Sequence, residues 1–467
     1  MLDRPLRSRS LSDIGLRNEA KKARPDARPQ AWKNRKRIHW NTLRIFSGRA
    51  RRRWSWIIRR SRTASVGQAP NSTAPLAIVL LILAGCSCLA PVVPAQAGLD
   101  EPRVRARALG IVIGSYEPGP LNAITDVAGV SVGQTTLISG DGPLKPGLGP
   151  VRTGVTVVIP RDDVWHKKVP AGSFVLNGTG EMTGLAWVAE SGFLEYPIAL
   201  TNTLNVPRVA NGVMSWMIAR YPEIGITDDT LTPVVAECDD GRLNDIQGRH
   251  VSETDVVKAL DSASSGVVQE GSVGAGTGMV SYGFKGGIGT ASRRLPETEG
   301  GYTIGVLVNA NHGRRPELVV GRVPVGRLYE PVPPVAQALV PGQSEGSIIV
   351  IIATDAPLDG RQLTRLAKRA ALGLARTGST ARHGSGDFML AFSTANTIPH
   401  YPKEPTFQQT HLADTHLNPL ITATVDATEE AILNALTMAT TVVGRDSHRI
   451  DAISLSRLRA ILDHQAK

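Results

Sequence analysis

The 467-residue sequence predicts a mixed α/β sandwich. Two observations carry that expectation: short runs rich in β-branched residues, and helical apolar periods that alternate with them. A third supports it: glycine (47) and proline (31) are plentiful without a fixed period, as in a turn-rich globular domain and unlike a fibre. Strands are expected at Gly154–Ile159, Pro197–Thr201, Tyr302–Val308, Ser347–Ala353 and Asp387–Ser393. Between Arg361 and Arg376, Leu363, Leu366, Ala367, Ala370, Ala371 and Leu374 fall on one helical face, and Asn211–Tyr221 and Glu253–Ser262 read similarly. Asp426, with Glu429 three residues on, spells a capping box that would open a helix running to about Val442.

Charge divides the chain unevenly. Lys and Arg number 52 against 41 Asp and Glu, yet residues 1–70 alone hold 20 and 4, which leaves 32 against 37 for the remainder. The basic surplus therefore belongs to the head, and the body lacks the clustered cationic face of a nucleic-acid binder. Residues 1–70 read as a disordered basic extension, or as translation from a start codon placed too far upstream. Residues 71–97 follow with the parts of a secretory signal: Arg59, Arg60 and Arg62 ahead of an apolar run from Pro75 to Val93, then Pro94-Ala95-Gln96-Ala97. Gly85, Ser87 and Pro91 interrupt the run, against a membrane-spanning helix. Leu83-Ala84-Gly85-Cys86 also resembles a lipobox, in which Cys86 would carry a lipid anchor. Either form implies export to the periplasm or beyond. Past Ala97 only Cys238 remains, read as a small buried hydrophobe, so no intrachain disulfide is available.

The chemically unusual stretch is Glu270-Gly271-Ser272-Val273-Gly274-Ala275-Gly276-Thr277-Gly278-Met279. Glycine at this density suits no helix interior and is expected where backbone takes positive φ or approaches another group closely. The spacing misses the dinucleotide fingerprint, and no Lys-Ser/Thr pair follows to make a phosphate loop. A bare turn before a strand is one reading. The other is that Ser272 is a nucleophile released by cleavage after Gly271, its own α-amine, with a reference pKa of about 7.7–8.0, serving as the base. The glycines behind it would leave N–H groups free to face the reacting acyl group. Ser344, in Gly342-Gln343-Ser344-Glu345-Gly346, has the spelling of a hydrolase elbow but leads into a strand instead of a helix. Ser385 sits among glycines that turn the chain into the next strand. His411, Asp414 and His416 share no helical face and make a poor metal set.

From Gly271 to Met279, and again through Lys285-Gly286-Gly287-Ile288-Gly289-Thr290-Ala291-Ser292-Arg293, the sequence resembles the cleavage region of the L-aminopeptidase/D-Ala-esterase family, which includes the β-peptidyl aminopeptidases. Gly119–Val127, Asn177–Gly184, Leu200–Thr203, Leu243–Ile246, Gly386-Asp387 and Ala391–Thr394 are similar to further family segments in the same order. The resemblance covers roughly residues 100–445. It implies a four-layer αββα sandwich like that of N-terminal nucleophile (Ntn) hydrolases, with the connectivity of ornithine acetyltransferases. It further implies one catalytic domain, residues 98–467, self-cleaved into an α chain 98–271 and a β chain 272–467. Oligomers of αβ pairs, commonly tetramers, and no metal or other cofactor are expected with it.

The same resemblance assigns roles. Asn244 matches an oxyanion donor, although on composition it is a turn residue after Asp239-Asp240-Gly241-Arg242. Asn177 and Glu181 lie in a glycine-bracketed turn leading to a helix, where Glu181 would hold a substrate ammonium. Where relatives place a Ser-x-Glu proton relay, this chain has Ala310 and His312, so His312 is the candidate proton carrier against a structural reading. A tyrosine of the relatives is replaced here by Ser173-Phe174. The function expected is an exported serine aminopeptidase, amidase or esterase acting on small peptides, amides or esters through an acyl-enzyme on Ser272. An acetyltransferase of the same fold, or a binding protein that never cleaves itself, are the alternatives.

Overall fold

The computed structural model describes residues 101–329 and 346–465. The expected leader, Cys86 and Ser344 lie outside these. Within them, ten strands build two sheets: β1 Ser131–Ser139, β2 Val151–Ile159, β3 Lys167–Gly178, β4 Ile198–Thr201, β5 Val234–Glu237, β6 Gly287–Arg294, β7 Thr303–His312, β8 Gly346–Thr354, β9 Gly386–Ser393 and β10 Ile398–Pro399. The smaller sheet runs β1-β2-β4-β5 and the larger β10-β3-β9-β8-β7-β6, with a two-residue strand also pairing with β3. The β8/β9 and β4/β5 pairs are parallel, and the other neighbours are antiparallel. Among the described residues, six longer helices accompany them, α1 Leu185–Ser191, α2 Val206–Arg220, α3 Glu253–Asp261, α4 Gly360–Arg376, α5 Asn418–Thr437 and α6 Leu455–Gln465, with a single helical turn at Val325–Leu328.

All five expected strands form, because each is an apolar β-branched run that two packed faces can bury. Leu307, Ile349, Ile351 and Leu390 point between the sheets with Val155, Val157 and Leu200. Their neighbours Val306, Val308, Val350 and Ala391 face the opposite way, against Leu363 and Leu366 of α4 and Ala427, Ala431 and Ala435 of α5. Strand alternation thus supplies two cores from one sheet. With α2 and α3 outside the smaller sheet, the order of layers is αββα.

The capping-box expectation fails. The helix opens at Asn418 with Pro419 in its first turn and ends at Thr437, so Asp426 lies in its interior. Proline tolerates a first helical turn because its missing N–H would be unpartnered there anyway. Asp426 and Glu429 are instead buried acceptors for Arg376, at 2.6 and 3.4 Å. Helix α5 is buried nearly all round and carries its own polar partners. Glu430 pairs with Arg293 at 2.6 Å and with Arg107 at 3.0 Å, and it accepts from Asn122 Nδ2 at 2.6 Å. Asn434 accepts from the Ala106 N–H and donates to the Thr290 carbonyl, both at 2.9 Å. These bonds fix α5 against β6 and the segment before β1.

Removing one member of a buried ion pair strands the other, at a cost of about 3–5 kcal/mol. Glu430→Ala should therefore lower stability by that order in denaturant titration, whereas the exposed pair partner in Arg449→Ala should have little effect.

Candidate active site

The chain reaches Ser272 along the outer edge of β6. Gly271 bridges Ile288 in antiparallel fashion, its N–H donating to the Ile288 carbonyl at 2.7 Å. The Gly271 carbonyl oxygen accepts two backbone N–H groups, from Ile288 at 3.0 Å and Val273 at 2.9 Å. That is the arrangement that stabilises negative charge developing on a carbonyl oxygen. It also explains the glycines. Gly271 has φ +81°, and a Cβ there would lie 2.4 Å from the Met438 carbonyl oxygen. A Cβ on Gly287 or Gly276 would lie 2.0 or 2.7 Å from the Gly271 oxygen itself. Three glycines crowd one carbonyl, which a bare turn would not require.

Ser272 is half-buried. Its Oγ donates to the Thr440 carbonyl at 3.0 Å and accepts from the Thr440 N–H at 3.2 Å, just beyond the end of α5. The donors on the Gly271 oxygen differ from those expected. The Gly274 and Ala275 N–H groups are taken by Thr136 Oγ1 at 2.7 Å and Thr156 Oγ1 at 3.1 Å, and the Gly276 N–H by the Val273 carbonyl. The glycine loop is tied to the smaller sheet, and β6 supplies the donor in its place.

Two buried charged groups, Lys285 and Asp240, lie behind the loop, and the sequence alone assigns them no role. Lys285 Nζ donates to the Gly276 carbonyl at 2.9 Å and the Gly286 carbonyl at 3.0 Å, so it clasps the two glycine segments that flank the Gly271 oxygen. Burial pulls its pKa down to about 7, opposed by Asp240. Burial raises the Asp240 carboxyl to about 7, against hydrogen bonds from Thr153, Asn244 and Asn202. Glu270, before the glycine, pairs with Arg105 at 2.6 Å and accepts the Thr290 N–H at 2.8 Å. These two residues, with Leu121, Val268, Val273 and Met438, line a cavity of about 430 Å³ beside the Ser272 segment.

Asn244 is fully buried. Its Oδ1 accepts the Arg152 N–H at 2.9 Å and its Nδ2 donates to Asp240 at 2.9 Å, leaving one amide hydrogen uncommitted among the described residues. Its loop touches both segments that flank Ser272: Asp240 packs on Gly278, and Leu243 packs on Gly444 and accepts from the Arg445 N–H. Asn177 is not in the expected turn but is the penultimate residue of β3, paired with Asp387, and Glu181 follows the strand's end, with β9, β8 and β7 between β3 and β6. Asn177 donates to the Arg382 carbonyl, and the Glu181 N–H donates to Glu237 at 3.0 Å. None of these bonds reaches Ser272. The Glu181 carboxylate is exposed and has no partner among the described residues, so it is free to accept a cation. Asp414, of the rejected metal set, is occupied by Arg361 and Gln362 at 2.8 Å.

His312 ends β7 on the face turned to α4 and α5, buried against the Tyr282 ring at 5.1 Å between centroids. Neither ring nitrogen has a hydrogen-bond partner among the described residues, and burial pushes its pKa down to about 3. It is neutral at any working pH, and no hydrogen bond joins it to Ser272.

The profile of peptidase family S58 matches residues 122–450. The chain belongs to peptidase family S58. It is 45% identical over 379 residues to the β-peptidyl aminopeptidase BapA of Sphingosinicella xenopeptidilytica, covering 79% of this chain and 93% of that protein. The β-aminopeptidase of Burkholderia sp. is 44% identical with a TM-score of 0.71, covering 77% of this chain and 99% of that one. The L-aminopeptidase D-Ala-esterase/amidase of Ochrobactrum anthropi, described as a variant of the Ntn hydrolase fold, is 43% identical with a TM-score of 0.72, covering 78% and 99%. This S58 protein is therefore an aminopeptidase with the Ntn-type sandwich.

Two outcomes follow for this site. Gly271→Ala should abolish formation of the native cleft, since its methyl group would meet backbone rather than a yielding side chain; expression of soluble, natively folded protein, followed by thermal melting, checks this. Because His312 has a folded pKa below its unfolded value, the unfolded chain binds the extra proton between about pH 6.5 and 3, and stability falls as pH drops through that window. His312→Leu should flatten that acid-side loss in melting curves recorded from pH 7 to 4.

Proposed function

We propose that the chain is a self-cleaving serine aminopeptidase that releases N-terminal β-amino acid residues from small peptides and amides. The observation that carries this reading is the Gly271 carbonyl held by two N–H donors directly before Ser272. In the intact chain, Ser272 Oγ adds to the Gly271 carbonyl carbon. The tetrahedral oxygen is stabilised by the Ile288 and Val273 N–H groups, and collapse transfers the acyl group from nitrogen to oxygen. Water then hydrolyses the ester, leaving a Gly271 carboxylate and a Ser272 that bears both hydroxyl and free amine.

In turnover that amine takes the hydroxyl proton as Ser272 attacks the substrate carbonyl, then returns it to the departing amine, and water releases the residue. Asn244 offers its uncommitted amide hydrogen to the oxyanion, and Glu181 offers a carboxylate to the substrate ammonium. His312, neutral and unlinked, takes no part. The β preference rests on the likeness to the two proteins named for that activity. Esters would react through the same acyl-enzyme. The leader supports export, with release after Ala97 or anchoring at Cys86, and the cleaved chains would assemble as oligomers of αβ pairs.

Wild-type protein should run as two chains of similar size on a denaturing gel, the larger, residues 272–467, beginning Ser-Val-Gly-Ala, and should hydrolyse β-alanyl p-nitroanilide in preference to the L-alanyl compound. Ser272→Ala should remain one chain and lose activity by at least about 10³-fold. Two chains in that variant would overturn the nucleophile, and hydrolysis of the α-compound alone would overturn the β preference.

A further inference from the structure

Away from Ser272, a cluster of histidine and carboxylate groups joins three segments: the turn between β2 and β3, the loop after α2, and the end of β10. Ligand atoms of His166, Glu223 and Asp228 lie within 4.8 Å of one another. His166 Nε2 is 3.1 Å from Glu223 Oε1, while its Nδ1 is 2.8 Å from Asp163. A carboxylate on one imidazole nitrogen, fixing the other toward a pair of carboxylate oxygens, is how metal-binding histidines are oriented. Asp228 is held as firmly. Its Oδ2 accepts from Trp165 Nε1 at 2.7 Å, and its Oδ1 lies 3.1 Å from His400 Nε2 and also meets the Tyr401 hydroxyl.

The His400 and Asp228 side chains are each 3% exposed, whereas His166 is 44% exposed and opens the cluster to water. His400 stacks on Trp165 at 4.5 Å between centroids, and its Nδ1 has no partner among the described residues. Three carboxylates converge here against one ammonium, Lys167, at 3.8 Å from Asp163. An imidazole and two carboxylates at this spacing match the donor set of a first-row divalent cation such as zinc.

We infer that His166, Glu223 and Asp228 bind one divalent transition-metal ion, with Asp163 and His400 as the groups that orient His166 and Asp228. The ion has no part in the acyl transfer. It links the turn between β2 of the smaller sheet and β3 of the larger one to the loop after α2, with the segment beyond β10 joined to it through His400 and Asp228.

The test uses the full chain, free of any affinity tag and stripped with a chelator, titrated with ZnCl₂ by calorimetry and checked by equilibrium dialysis with elemental analysis. About one zinc per chain is expected, with an upward shift in Tm. The same stoichiometry is expected in Ser272→Ala, so the outcome is independent of peptidase activity. His166→Ala and Glu223→Gln, both at partly exposed positions, should each weaken binding by about tenfold or more while the chelated proteins melt close to wild type. Less than about a tenth of an equivalent bound by the wild type, or binding unchanged in both variants, would overturn the site.

Discussion

The constraint on which the site depends is the crowding of one carbonyl oxygen. The Gly271 oxygen sits between Gly276 and Gly287 and receives N–H groups from Ile288 and Val273, while Met438 and Ala439, just past the end of α5, press against the Gly271 α-carbon. No L-residue with a side chain fits at Gly271, Gly276 or Gly287 without displacing backbone. The density of glycine that looked excessive in the sequence is the space this peptide needs.

What holds the crowding in place is α5. Its middle carries Glu430 and Asn434, which grip β6 and the segment before β1, and its C-terminal extension presents the Thr440 backbone to the Ser272 hydroxyl. A helix buried on all sides must satisfy every polar group it brings with it. Here those groups double as fasteners, so the position of Ser272 is set by bonds made two turns earlier in the helix. Lys285 performs the matching task from the other side, with its charge held between two glycine carbonyls.

Much of this was legible in the residues. Apolar β-branched runs marked the central strands, and the glycines around Ser272 marked the crowded peptide. Strands β1, β3, β5, β6 and the two-residue β10 escaped, most of them for identifiable physical reasons. The β6 segment, Gly-Ile-Gly-Thr-Ala-Ser-Arg-Arg, buries polar side chains that only tertiary partners can satisfy; β3 contains Pro170 and Gly172; β5 is four residues long. The start of α5 was missed because Asp426 and Glu429 spell a cap while serving as buried acceptors for a distant arginine. Thr440 acts through its backbone, which no side-chain pattern announces. Lys285 and Asp240 are residue types that sequence reasoning assigns to the surface.

Strand β3 lies between β9 and β10 in the larger sheet, although it precedes residue 271 and both neighbours follow it. A polypeptide severed at that point is therefore two interleaved pieces, not two lobes. Each half supplies hydrogen-bonding edges that the other fills, so neither could leave without tearing the sheet open along both sides of one strand. A cut there would free a terminus at the site while the surrounding architecture kept its shape.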